Sequence, residues 1–157
     1  MQRVKLDEID RMILHEMQAD GRITNVELAN RVGISAPPCL RRVRALEEAG
    51  FILGYHAELD ARALGYEVTV FAMVSLRSQA EADLVAFEQM AAGWPIVREC
   101  HMLNGEIDFI LKCIARDLSE FQRFLTASLT SAPNVASVKT SLTIRTAKQE
   151  PGVPVRQ

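Results

Sequence analysis

The sequence predicts an α+β fold in two parts: three short helices, then a strand-helix-strand-strand-helix-strand unit. Three observations predict it. Up to Gly50 the apolar residues recur at helical spacing, with Gly21, Gly33 and Gly50 as stops. From Tyr66 onward the period drops to two over Val68, Val70, Ala72, Val74 and Leu76, the pattern of a half-buried strand. The 157 residues, 48% apolar and 24% charged, have the composition of a globular chain long enough for one ordinary domain or two small ones.

The first helix is expected from Asp7 to Asp20, with Ile9, Ile13, Leu14 and Met17 on its inner face and Asp7 as N-cap. Ile23-Thr24-Asn25-Val26-Glu27-Leu28 reads as a capping box with a hydrophobic staple. The Thr24 hydroxyl accepts from the Glu27 amide, the Glu27 carboxylate reaches back, and Ile23 packs on Leu28. This second helix runs to Val32, Gly33 supplies the positive φ of a tight turn, and Ile34 returns to the core. Ser35 opens a third helix through Ala49, with Leu40, Val43 and Leu46 as one apolar stripe and Arg41, Arg42 and Arg44 on other faces. Pro37 and Pro38 fall in its first turn, where a missing N–H costs little. If Ser35 is the N-cap, the amides it would cap belong to those prolines, and its hydroxyl is left free for a phosphate.

Phe51 to Leu59 is strand-like and leads out of this unit, residues 1–60, into a hinge at 61–66. The second unit, 67–147, opens with the Val68–Leu76 strand and a helix carrying Leu84, Phe87, Met90 and Ala91, closed by Pro95. Ile96 to Leu103 and Ile107 to Ile114 are strands joined at Asn104-Gly105, the signature of a type I′ hairpin turn. Asp117-Leu118-Ser119-Glu120 starts a helix with Phe121, Phe124, Leu125 and Leu129. The last strand, Val138 to Thr146, alternates Val138, Thr140, Leu142 and Ile144 on one face. This is the ferredoxin-like βαββαβ order, which leaves one sheet face without helices; the apolar strands favour its pairing with a second subunit. Residues 148–157, with Pro151, Gly152 and Pro154, show no periodicity and read as a loose tail.

The formal charge of −2 excludes a protein that coats nucleic acid nonspecifically. Even within residues 1–60 acids outnumber bases. Placement matters more than the total, since phosphates are neutralised within a Debye length of about 8 Å. Between Arg31 and Leu46 there are Arg31, Arg41, Arg42 and Arg44 and no acid. No stretch has the apolar length of a membrane span, and the N-terminal residues lack the apolar core of a secretory signal. The three cysteines, Cys39, Cys100 and Cys113, form no Cys-x-x-Cys pair, so a cytoplasmic, reducing location is expected, with no metal and no cofactor.

Two short helices, a glycine turn and an arginine-bearing third helix constitute a helix-turn-helix, whose later helix enters the major groove. An arginine fork can take a phosphate or a guanine in two bonds. The bland alternative, arginines that merely solvate a helix, does not explain the capped second helix, Gly33 and the acid-free interval together.

A longer string of motifs resembles the Lrp/AsnC family of transcription regulators. It comprises Leu6-Asp7-x-x-Asp10-Arg11-x-Ile13-Leu14, Asp20-Gly21-Arg22, Glu27-Leu28-Ala29-x-x-Val32-Gly33-Ile34-Ser35, Pro38-Cys39-Leu40-Arg41-Arg42-Val43-Arg44-x-Leu46-Glu47 and Gly54-Tyr55. The resemblance runs from Leu6 to Thr146. It implies a winged helix-turn-helix with its motif at 25–44, a ferredoxin-like ligand-binding and assembly domain, dimers that build tetramers or octamers, and a response to an amino acid or related metabolite. Ser35, Pro38, Arg41, Arg42 and Arg44 are the expected DNA contacts, paired third helices of a dimer lying in successive major grooves of a palindromic double-stranded site.

The family's effector lies between C-terminal domains, near a Gly-Asp-aromatic-Asp hairpin, which Gly105, Glu106, Ile107 and Asp108 match here with two departures, Glu106 and Ile107. Met102, Leu103 and Asn104 lead into it, so the expected effector residues are Met102, Leu103, Asn104, Gly105, Glu106 and Asp108. A glycine turn exposes amides to an α-carboxylate, and a carboxylate can pair with an α-ammonium. A solvated hairpin with ordinary surface acids is the plainer reading of the same residues.

An enzyme is the rival from another class, because Glu99, Cys100, His101, Glu106 and Asp108 are close in sequence. On a strand, however, Glu99 and His101 share one side and Cys100 faces the other. His15 and His56 lie in or beside the first unit, and no triad, phosphate loop or His-Glu-x-x-His spacing appears. Cys39 could be read as a redox sensor at a helix N-terminus; a buried packing residue is the stronger reading. A metabolite-binding protein without DNA would leave the gathered arginines unexplained.

Overall fold

Three helices form the first unit of a computed structural model that describes residues 5–155: α1 (Glu8–Ala19), α2 (Asn25–Arg31) and α3 (Ala36–Glu48). The outermost N-terminal residues and the last two of the tail lie outside the described residues. Asp7 caps α1 with a complete capping box: its Oδ1 accepts from the Asp10 amide at 2.8 Å while Asp10 Oδ2 accepts from the Asp7 amide at 3.2 Å. At α2 only half of the expected box forms. Thr24 Oγ1 accepts from the Glu27 amide at 3.2 Å, but the Glu27 carboxylate is drawn to Arg31 one turn on. Gly33, at φ 74°, ends α2 as expected, and the Ile34 amide reaches back to the Ala29 carbonyl at 3.0 Å.

The core of this unit joins Ile13 of α1, Leu28 and Ala29 of α2, and Cys39, Val43 and Leu46 of α3. The inner stripe of α3 therefore begins at Cys39, and Leu40 is 40% exposed, a correction to the expected stripe. Residues 39, 43 and 46 follow the i, i+4, i+7 period, and Leu40 falls one step round the helix from it. Phe51–Leu59 enters no ladder, so the expected strand is absent: Leu53 is 96% exposed. The segment is held by Tyr55, whose hydroxyl donates to Glu47 Oε1 at 2.8 Å. Burial, then the Glu47 carboxylate, pushes the Tyr55 phenol up to about 12.

The tail belongs to this unit as well, which comprises the residues up to Glu58 and those from Lys148. It has no regular structure but is not loose at Val153. The Val153 amide donates to Gln18 Oε1 at 3.0 Å, and Gln18 Nε2 donates to the Val153 carbonyl at 2.7 Å. Gly152, at φ 67°, precedes this contact, and a Cβ there would run into the Gln18 side chain.

The second unit, residues 59–147, contains β1 (Val68–Leu76), α4 (Glu81–Ala92), β2 (Val97–Met102), β3 (Phe109–Ala115), α5 (Leu118–Phe124) and β4 (Val135–Leu142). A π-helical turn, Leu125–Leu129, extends α5. The sheet runs β2-β3-β1-β4, each pair antiparallel, as the βαββαβ order requires. Val70, Ala72, Val74, Leu111, Cys113 and Phe109 face the helices and pack on Phe87, Ala91, Phe121 and Leu129. Trp94 meets Phe87 and Phe124 edge-on at 6.1 and 5.3 Å between centroids.

The opposite face carries half-buried Phe71 and Met73 beside Ile110 and Ile114. It is bordered by the Lys112–Glu99 ion pair at 2.7 Å.

Two features depart from expectation. The β2–β3 connection is not a type I′ turn, since neither Asn104 nor Gly105 has positive φ. Instead Leu103 donates to the Asp108 carbonyl at 2.8 Å across a four-residue loop, Asn104 to Ile107. β4 begins at Val135 and stops at Leu142, three to four residues earlier than expected, and Ile144 is 92% exposed. The start is set by Asn134, at φ 65°, whose side chain accepts from the Ser78 amide at 3.0 Å and donates to the Ser78 carbonyl at 2.8 Å.

Candidate nucleic-acid interface and effector hairpin

The α2–turn–α3 motif orders the expected DNA contacts into two groups. Arg41 and Arg44 lie exposed on α3 and form no ion pair among the described residues. Arg42 points elsewhere: its guanidinium donates to Asp10 Oδ1 at 2.7 Å and Asp7 Oδ2 at 2.8 Å. The two carboxylates, Asp10 first, hold Arg42 more firmly protonated than usual. Arg31 is likewise taken by Glu16 and Glu27. The interval that is free of acid in sequence is thus not free of acid in space, and its outward charge reduces to Arg41 and Arg44. Arg42, expected as a DNA contact, is held between α3 and the start of α1 by these two carboxylates.

Ser35 is the N-cap of α3, at φ −79° and ψ 156°, and its side chain makes no capping bond. The N2 and N3 positions are Pro37 and Pro38, which have no N–H to offer. The exposed hydroxyl therefore stands free at the helix start, with half-buried Pro38 beside it. Acidic Glu47 and Glu48 end the same helix, so its positive surface is confined to the first three turns. Asn25, which sequence reasoning passed over, ties α2 to this start by donating from Nδ2 to the Ala36 carbonyl at 2.8 Å. An asparagine at the first position of a helix is the signal that could have marked it.

Cys39 is fully buried, and burial pushes its thiol up. That is the opposite of the activated thiolate a redox sensor needs, so Cys39 is a packing residue.

The effector residues form one hairpin and enclose no cavity among the described residues. Asn104, Gly105 and Glu106 are exposed, and Met102 and Leu103 are 57% and 40% exposed. Asp108 is half-buried and already engaged: its Oδ2 accepts from the Leu76 amide at 2.6 Å, and its own amide donates to the Val74 carbonyl at 3.0 Å. It therefore stitches the hairpin to the end of β1, with one carboxylate oxygen committed. The candidate catalytic cluster does not assemble. Glu99 and His101 share the open sheet face at 3.4 Å, Cys100 lies on the helix side, and the Lys112 ammonium is what lowers the Glu99 carboxyl first. No helix is long and apolar enough to cross a membrane, and no metal-ligating cluster occurs among the described residues.

Comparisons with known proteins give a family for each half of the chain. Residues 6–52 match a winged helix-turn-helix DNA-binding family, and residues 69–153 match the Lrp/AsnC ligand binding domain. The leucine-responsive regulatory protein of Rhizobium meliloti is 60% identical over 146 residues, 93% of this chain and 94% of that one. The Bkd operon transcriptional regulator of Pseudomonas aeruginosa is 40% identical over 141 residues, covering 90% and 92%. A transcriptional regulator of Neisseria meningitidis, solved as its complex with L-methionine, superposes with a TM-score of 0.91 at 35% identity over 96% of this chain and 97% of that one.

Proposed function

The chain belongs to the Lrp/AsnC family of transcriptional regulators, which are not enzymes, and from that premise we propose how it binds its site and what sets its activity. It binds double-stranded DNA as a dimer, the two α3 helices lying in successive major grooves about 34 Å apart on a palindromic site. Arg41 and Arg44 make the principal contacts and Ser35 takes a phosphate beside Pro38. The observation that carries this reading is the pair of exposed guanidinium groups, in no ion pair among the described residues, on the first three turns of a helix that follows the Gly33 turn.

An amino acid or a close metabolite sets the activity. The relative named for leucine and the neighbour solved with L-methionine support an amino-acid class of effector. The exposed hairpin of Met102, Leu103, Asn104, Gly105 and Glu106, stitched at Asp108, becomes a pocket when a second copy covers it. Phe71, Met73, Ile110 and Ile114 on the open sheet face supply the apolar surface for dimer formation, and larger even-numbered assemblies follow from dimers. The protein works in the cytoplasm, where the chromosome is.

Selection of duplexes from a random pool, followed by a mobility-shift titration, tests the DNA reading. A palindromic consensus bound by the parent and lost in Arg41→Ala and Arg44→Ala supports it, and recovery of no consensus refutes it. A thermal-shift screen against the amino acids, read beside particle mass, tests the effector, because a ligand that binds only the folded state raises its melting temperature.

A further inference from the structure

We infer that Leu40, with the ring of Pro37, reads the 5-methyl group of a thymine in each half-site, so that one position of the operator is recognised by an apolar contact. This rests on the reading above that α3 lies in the major groove. An exposed leucine alone is an ordinary surface feature, and its place on the helix is what decides. Cys39, Val43 and Leu46 turn inward, and Leu40 takes no part in the core they form with α1 and α2. It is 40% exposed. Pro37, Leu40, Arg41 and Arg44 follow the i, i+3, i+4, i+7 spacing of a single helix face, and all four are exposed. Arg41 therefore follows Leu40 directly and Arg44 stands one turn beyond it, neither in an ion pair among the described residues. A duplex drawn to these two guanidinium groups meets Leu40 in the same approach.

The start of α3 makes this end of the face apolar. Pro37 and Pro38 lie in its first turn and carry no N–H, so at these two positions the backbone has no amide to offer a phosphate, and Pro37 presents its ring instead. Thymine contributes a methyl group to the major groove, where the code is otherwise one of donors and acceptors. Pressed against the Leu40 isobutyl group and the Pro37 ring, that methyl removes apolar surface from water on both sides. Cytosine at the same place lacks the methyl and brings its N4 amino donor to side chains that cannot accept it.

The test uses the full chain and the consensus recovered from the random pool. Each thymine is replaced in turn, in both half-sites, by deoxyuridine, which keeps the pairing and lacks only the methyl, and affinity is read by fluorescence anisotropy. For the parent, one such replacement should weaken binding about fourfold per half-site, the factor for one buried methyl group, and about 15-fold for the pair. Leu40→Ala should bind the two duplexes alike and keep the parent's salt slope, since no phosphate contact is lost. The readout is a ratio between two duplexes, so a smaller folded fraction in the variant leaves it unchanged. Recovery of no consensus overturns this inference together with the reading it rests on. A consensus with no thymine sensitive to deoxyuridine, or one whose sensitivity survives in Leu40→Ala, overturns this inference alone.

Discussion

Alanine at each of the three arginines of α3 should have unequal consequences for DNA binding, although sequence treats them alike. Arg42 is held by two carboxylates, so the cluster of Arg42, Asp7 and Asp10 has a net negative charge and should displace no counterion from DNA. Arg41 and Arg44 carry no such partner among the described residues, and the proposed dimer presents two of each. If all four reach phosphates, they contribute about 3.6 to the slope of log K against log salt, at about 0.9 per contact. A fourfold rise in salt then weakens binding by a factor of about 150 from these contacts alone. Arg41→Ala or Arg44→Ala removes two contacts per dimer, lowers the slope by about 1.8 and leaves a factor of about 12. Arg42→Ala leaves the slope unchanged and lowers the melting temperature, since it unclamps α3 from α1. The assay is fluorescence anisotropy on a mixed-sequence duplex, which reports phosphate contacts without knowledge of the operator. A slope that falls for Arg42→Ala as it does for its neighbours, or that is indifferent to Arg41→Ala and Arg44→Ala combined, refutes this account.

Asp108→Ala should destabilise the sheet by about 1.5–3 kcal/mol, because the Leu76 amide loses a charged acceptor; denaturant titration followed by Trp94 fluorescence reads it. Any loss of effector response in that variant must therefore be judged against the Glu106→Ala variant, which leaves the bond intact. At the start of β4, Asn134→Ala loses both bonds to Ser78 and forces a methyl-bearing residue into positive φ, so it should be less stable than Asn134→Gly by about 1–2 kcal/mol in the same titration. The Asp10 amide first, and then Arg42, hold the Asp7 carboxyl below its usual 3.8. A lowered carboxyl contributes stability that is complete above the ordinary carboxylate range and is lost as pH falls through the lowered value. Melting temperature measured below about pH 5 should therefore fall less steeply in Asp7→Asn than in the parent.

The elements visible in sequence were those whose signals are local. The period of two through Val68–Leu76, the Asp7 and Thr24 caps and the Gly33 turn each depend on neighbours a few residues away, and each is present. The free Ser35 hydroxyl was legible for the same reason, from two prolines directly after it. What sequence misread depends on distant partners. Arg42 has no acid near it in sequence until Asp7 and Asp10, more than thirty positions earlier, are brought to it. Asn104-Gly105 has the composition of a two-residue turn, but Asp108 is drawn toward Leu76 and the loop opens to four. Leu40 and Cys39 differ by a rotation of about 100° on the helix, and the period alone cannot choose between two apolar neighbours. Asn134 gave no local hint beyond a Pro-Asn pair, since its partner is Ser78.

The polypeptide leaves the three-helix unit at Glu58 and comes back to it at Lys148, so this reading head is assembled from two separated stretches and the sensor is spliced between them. A piece cut off at the hinge would lack the strand of chain that closes over Gln18. Exchanging sensors among relatives accordingly means two joints rather than one.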